Sequence, residues 1–250
     1  MNMNNNTILI TGGTSGIGFE LARQLCKSNT VIITGRDQEK LDKVKSELKE
    51  VHVFQCTIDK HDEIVNLYEN VSKMFPTLNI LINNAGVMNR IDLQKERDIH
   101  KLTEEIMVNV IGTIGMTTQF LPLLRQQKTA AIVNISSALA FVPLASTPVY
   151  CASKAALHSF TDSLRIQLKD TNIKVFELAP SVTKTPLIQA LDSNEQKGMS
   201  IMSVSELVKV GIRKIECDTF EIRPGQSNAL KMLSRISPRF ALHMINKSGH

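Results

Sequence analysis

The chain has 250 residues, 42% of them hydrophobic, enough to bury one sizeable core, and Lys+Arg 29 against Asp+Glu 24 leaves a net charge of +5. The cations are scattered through helical stretches instead of forming a block, so they read as a solvated surface and argue against nucleic acid as a partner. Cys26, Cys56, Cys151 and Cys217 form no C-x-x-C pair and no Cys/His cluster at zinc spacing. Met1-Asn2-Met3-Asn4-Asn5-Asn6 lacks the features of a signal peptide, and no apolar run reaches about 18 residues. A cytoplasmic protein with reduced thiols, no bound metal and no membrane insertion is expected.

The first strand is predicted at Thr7–Thr11, and it runs into Thr11-Gly12-Gly13-Thr14-Ser15-Gly16-Ile17-Gly18 before a helical pattern that begins near Ile17. A turn of this kind must bend sharply, admit a pyrophosphate to its N–H groups and pack its helix tightly on the sheet, and each requirement favours residues without Cβ. The helix N-terminus then meets the phosphates with its partial positive charge. Gly12, Thr14, Ser15, Gly16, Ile17 and Gly18 are therefore candidate dinucleotide-binding residues. Phe19-Glu20 stand where a P-loop would need Lys followed by Ser or Thr, which disfavours hydrolysis of a nucleoside triphosphate.

A second strand over Thr30–Thr34 leads into Gly35-Arg36. A carboxylate at such a strand end would accept from the adenosine ribose, whereas a guanidinium pairs with a 2′-phosphate. Gly35 is read as leaving room for that phosphate, so NADP(H) is expected in preference to NAD(H). Further strands are predicted at Val51–Gln55, Asn79–Ile82, Ala130–Ser136, Ile173–Leu178 and Phe220–Ile222, with helical patterns between them. About seven strands joined by crossovers give one α/β domain over residues 1–250, a Rossmann-type doubly wound parallel sheet with helices on both faces.

Ser137 is placed at the end of the fifth strand, the edge where ligands of such sheets bind. Tyr150 and Lys154 open a helical pattern that runs to Lys169, and their i,i+4 spacing sets both on one face. Free tyrosine titrates near pH ~10, and a neighbouring ammonium favours its phenolate. Tyr150 can then exchange a proton with a carbonyl or alcohol oxygen held by Ser137. His158, eight residues past Tyr150, points roughly 80° away from it and is assigned a structural role. Residues 185–203 break the strand–helix alternation and interleave apolar with polar residues, as a segment covering the substrate would.

With these motifs in order, the chain resembles the short-chain dehydrogenase/reductase family over nearly its whole length. Asn83-Asn84-Ala85-Gly86 is similar to the family's strand-four motif, adding Asn84, Ala85 and Gly86 to the cofactor set. The resemblance implies that Asn109 joins Ser137, Tyr150 and Lys154 in the active site and positions a water on the proton path, and that Lys154 also holds the nicotinamide ribose. It further implies cofactor contacts from Thr57 and Ile58, where the family usually carries Asp, and from Pro180, Thr183 and Thr185. Ser181 follows Pro180 where the family has Gly, so the loop is expected to sit differently. A homodimer or homotetramer is implied, paired through the helices before strand five and after Tyr150. Tyr150 to Phe160 and Phe141-Val142-Pro143-Leu144 look similar to bacterial oxidoreductases encoded with teichoic-acid D-alanylation genes. The expected activity is hydride transfer between NADP(H) and a small carbonyl or secondary alcohol. The alternative is a non-catalytic NADP(H)-binding regulator on the same fold.

Overall fold

A computed structural model describes residues 1–190 and 201–247. The Ile- and Val-rich runs form strands β1 (Thr7–Thr11), β2 (Thr30–Gly35), β3 (His52–Gln55), β4 (Leu78–Asn83), β5 (Ala130–Ile135), β6 (Ile173–Leu178) and β7 (Glu221–Ile222). Their boundaries lie within one residue of those read from the sequence. All pairings are parallel, in the order β3-β2-β1-β4-β5-β6-β7. Strand order reverses between β1 and β4, so the loops leaving those two strands diverge and open a crevice at the carboxyl edge.

Each strand is apolar on both faces because helices cover both. Ile8, Ile10, Val31, Ile33, Ile80 and Ile82 face one layer of helices: α1 (Gly16–Leu25), α2 (Gln38–Glu47) and α7 (Val204–Glu216). Leu9, Ile32, Leu81, Ile132 and Val175 face the other: α3 (His61–Met74), α5 (Thr113–Arg125) and α6 (Pro148–Gln167). The alternation of these two sets along each strand is the period-two signature of extended chain. Helices α8 (Ser227–Ile236) and α9 (Pro238–Asn246) close the C-terminus.

Between α4 (Ile99–Ile106) and α5 the helix widens into a π-helical stretch, Met107–Gly112, so that Ile99–Arg125 runs as one helix. By length and composition it could cross a membrane, but Met116, Phe120, Leu123 and Leu124 are buried against the sheet as in a core helix. A Cβ on Gly112 would lie 2.7 Å from the Ile58 carbonyl oxygen, so the widened turn sits directly on the loop after β3.

Below the carboxyl edge a polar row crosses the second face. Asn83, Asn134, Glu177 and Glu221 are register partners on β4, β5, β6 and β7. Asn83 Nδ2 donates to Thr117 Oγ1 (3.1 Å) and Asn134 Oδ1 (2.9 Å), and Asn134 Nδ2 donates to Thr161 Oγ1 (2.9 Å). These bonds fasten α5 and α6 to the sheet.

Of the segment expected to cover the substrate, residues 191–200 lie outside the described residues. Its base is closed by a bridge between Thr183 and Met202, with Met202 N donating to the Val182 carbonyl at 3.1 Å.

Asn134→Ala removes both buried bonds at the centre of the row. It should destabilise the protein by about 1–3 kcal/mol, the cost of leaving buried polar groups unmatched. Urea denaturation measures it, and a midpoint equal to wild type would show that the row does not hold the helices.

Candidate active site

The turn after β1 is fixed by its neighbour. Gly12 adopts φ +65°, and a Cβ there would come within 2.8 Å of Ala85 Cα. A Cβ on Gly18 would run into the Gly12 carbonyl oxygen and Asn84 Nδ2. Asn84 Nδ2 donates to the carbonyls of Thr11 (2.9 Å) and Gly12 (3.0 Å), while Thr11 Oγ1 accepts from the N–H groups of Asn84 and Ala85, both at 3.0 Å. The two glycine-bearing motifs thus lock one another at the switch point. Ser15 precedes α1 in extended conformation and makes no side-chain cap, leaving the first turn of the helix open to an anion.

A cavity of about 870 Å³ opens over this turn and runs along the carboxyl edge. It is lined by Gly12, Thr14, Ser15, Gly16, Ile17, Arg36, Thr57, Ile58, Asn84, Ala85 and Gly86, and further along by Ser137, Tyr150, Lys154, Pro180, Thr183 and Thr185. Gly18 and Asn109 stand behind its wall. With glycines where backbone must approach and an uncapped helix N-terminus beside it, the cavity fits a dinucleotide.

Arg36 is exposed, and its guanidinium lies 3.8 Å from Glu104. Helix α2 begins after it, with Asp37 Oδ1 accepting from Lys40 N at 3.1 Å as the cap. Asp37, Lys40 and Asp59 also line the cavity; none was picked out from the sequence, although each closely follows a strand end. Gly35 lines the cavity as well, and a Cβ there would lie 2.8 Å from Thr14 Cγ2, so its smallness also makes room for Thr14. Thr57 N donates to Glu63 Oε2 at 2.6 Å and Ile58 is buried, which ties this loop inward.

Strand β5 stops at Ile135, and Ser137 instead opens the short 3-10 turn Ala138–Ala140, its Oγ accepting from Leu139 N at 3.1 Å. The ladder ends here because Pro180 has no N–H to return to Ser136, although Ala138 N still donates to the Pro180 carbonyl at 2.8 Å. Pro148 starts α6, where its missing N–H costs nothing, and Tyr150 and Lys154 follow on the first turns, both buried. Lys154 Nζ donates to the Ile135 carbonyl at 2.8 Å and lies 5.7 Å from the Tyr150 ring centre. Asn109, fully buried in the widened turn, accepts from Val87 N (2.9 Å) and donates to the Val87 carbonyl (3.0 Å) and Ser153 Oγ (2.9 Å). It joins the loop after β4 to α6, between Tyr150 and Lys154.

Burial governs the electrostatics. It pushes the Tyr150 phenol well above its usual range, with Ser137 pulling it part of the way back. Lys154 is itself buried and pushed down to about 8, so burial works against the charged form of both groups. Glu177 raises Lys154 against the effect of burial. Its Oε2 also meets His158 Nδ1 at 2.8 Å and raises the imidazole. His158 Nε2 faces Asp162 at 3.7 Å, and Arg165 pairs with that carboxylate at 2.7 Å, so this trio forms an ion-pair network one turn past Lys154.

Ser181 is accommodated by Gly225, where a Cβ would lie 2.5 Å from Ser181 Oγ. Thr185 rests against Gly16, 3.4 Å from where a Cβ would stand. The far end of the cavity is closed partly by C-terminal residues, among them Leu230, Leu233, Met244 and Ile245, which carry no local sequence signal for a site.

The family model for short chain dehydrogenase matches residues 6–196. The chain belongs to the short-chain dehydrogenase family. Among curated relatives of this short-chain dehydrogenase, the uncharacterized oxidoreductase DltE of Bacillus subtilis (strain 168) is 44% identical over 207 residues, 82% of this chain and 81% of that protein. It is a relative of the subgroup expected from the sequence. Two solved structures share the fold. One is a short chain dehydrogenase from Burkholderia cenocepacia in complex with NADP, at TM-score 0.84 and 24% identity, covering 98% of both chains. The other is a short chain dehydrogenase/reductase from Burkholderia phymatum in complex with NAD, at TM-score 0.85 and 19% identity, covering 96% of both.

The depressed Lys154 has a thermodynamic signature. Between about 8 and the ordinary 10.5 the unfolded chain keeps a proton that the native chain has released. Raising the pH through that window therefore stabilises wild type relative to Lys154→Met, whereas below it the difference is constant. Urea midpoints of both proteins across pH 7–10 read the effect, and a pH-independent gap would mean that Lys154 titrates like an exposed lysine.

Proposed function

We propose that this short-chain dehydrogenase uses NADP(H) to interconvert a carbonyl and a secondary alcohol, with Tyr150 as the proton donor and acceptor. The observation that carries this reading is that Ser137, Tyr150 and a buried Lys154 come together on the wall of one cavity that also runs over the glycine turn. When bound, the cofactor supplies or accepts hydride at the substrate carbon. The Ser137 hydroxyl holds the substrate oxygen, and Tyr150 gives it a proton. The phenol is the form that gives a proton in carbonyl reduction, and the phenolate the form that takes one in alcohol oxidation. Lys154 holds the nicotinamide ribose and relays the proton, and Asn109 keeps the loop after β4 and its water in place.

The turn from Gly12 to Gly18 would hold the pyrophosphate of a bound dinucleotide, and Arg36 its adenosine end. Arg36 meets a 2′-phosphate with charge-assisted hydrogen bonds, and Lys40, on the next helix turn, adds a second cation at the same mouth. Asp37 is committed to capping α2 and to Lys40.

Tyr150→Phe keeps the packing and removes the proton. Turnover of a carbonyl panel, followed at the nicotinamide absorbance, should fall by about 10²-fold or more while NADPH still binds. A purified variant with near-normal turnover would reject Tyr150 as the acid. Arg36→Ala should lower NADPH affinity by at least about tenfold and leave NADH affinity nearly unchanged, since it removes one or more charged hydrogen bonds. Fluorescence titration with both cofactors decides, and equal losses for the two would sink the assignment to the 2′-phosphate.

A further inference from the structure

The cavity has two chemically different ends. Among the described residues, its charged lining side chains other than Lys154 are Arg36, Asp37, Lys40 and Asp59, which follow β2 and β3. The sheet order puts those strands on one side of the β1–β4 switch and β5, β6 and β7 on the other. On that second side, past Tyr150, the described lining holds no charged side chain. Met88, Leu139, Ile188 and Ile245 pack there around Leu144 and Cys151 as one apolar cluster, and Met244 adds to the same wall.

Part of this wall comes from outside the matched family region, which stops at residue 196. Met244 and Ile245 ride on α9, and α9 is fastened to the loop beside the site by one side chain. Asn246 Oδ1 accepts from Ala145 N at 2.7 Å, and its Nδ2 donates to the Pro143 carbonyl at 3.1 Å. The asparagine pairs with the loop as a neighbouring strand would, holding Ile245 against Leu144.

We infer that the substrate is a carbonyl compound with an uncharged, hydrophobic body that lies on the wall built by Leu144, Ile188 and Ile245, and that Asn246 is the positioning residue for that wall. This inference rests on the proposed reductase reading and names its substrate class. An ionised group placed against such a surface loses its hydration and gains no partner, whereas each methylene placed there leaves water. The wall therefore selects by apolar length and rejects carboxylates.

The test pairs kinetics with binding. With NADPH, kcat/KM should rise about threefold or more for each methylene added along a 2-alkanone series. The 2-oxo acid of matching length should be at least about 100-fold poorer. Saturation-transfer NMR on the NADPH complex of Tyr150→Phe reads binding without turnover. It should detect 2-octanone and not 2-oxooctanoate. Ile245→Arg should abolish the chain-length dependence and admit the oxo acid, with NADPH affinity unchanged, and Ile245→Ala should flatten the series more mildly. Asn246→Ala should raise KM for the longer ketones several-fold at nearly constant kcat. A flat series, or an oxo acid that binds or reacts better than the ketone, overturns the inference. Ketones that bind with rising length yet are never reduced by wild type support it and overturn the reductase reading instead.

Discussion

Asn134 is the point on which the active-site architecture turns. It sits wholly buried at the centre of the seven-stranded sheet, where water cannot replace a lost partner, so its amide must be satisfied by protein groups. Those groups are Asn83 on β4 and Thr161 on α6, and Asn83 in turn reaches Thr117 on α5. Apolar packing alone lets a helix slide or roll on a sheet at small cost. Directional bonds at this row do not, and they fix the angular setting of the two helices that carry Asn109, Tyr150 and Lys154. At the far end of the row Glu221 takes Lys231 at 2.9 Å, which brings α8 into the same frame.

Holding the site so deep has an electrostatic cost that the chain accepts. Tyr150 and Lys154 are both driven toward their neutral forms, and Glu177 is the carboxylate that opposes this for the lysine. Glu177 belongs to the same polar row, so the framework that positions α6 also tunes its ammonium. Its other oxygen, buried and without a hydrogen-bond partner among the described residues, is the kind of unmet polar group that stability alone would not retain.

Much of the fold was legible because strand formation is a local statement. Runs such as Ile8–Ile10 and Val31–Ile33 are β-branched or aliphatic throughout, and sheets covered on both faces demand just that. The glycine turn and the Tyr150–Lys154 pair were legible for a similar reason, since spacing along one helix or one turn fixes their geometry. What stayed hidden depends on residues far apart in the chain. Asn134 and Glu177 look like stray polar residues until register sets them side by side. The widened turn at Asn109 follows no period, and Ile245 joins the wall only because Asn246 finds Ala145. Ser137 was placed at the end of the fifth strand; the ladder ends at Ile135 because Pro180 has no N–H to offer Ser136. That Gly35 also makes room for Thr14, from another strand end, is equally invisible along the chain.

Ser181 and Gly225 extend that lesson from structure to substitution. The side chain that replaces the usual glycine after Pro180 occupies the volume that Gly225 leaves vacant, and Gly225 also carries a φ of +65°. The two positions therefore constrain one another: a Cβ at 225 would displace the Ser181 hydroxyl, and the left-handed backbone favours glycine at 225 whatever stands at 181. Substitutions at 181 and 225 are coupled, and their effects on stability should not add. A loop at the mouth of the cavity is thus held by a pair of positions that must be read together, 44 residues apart in the chain.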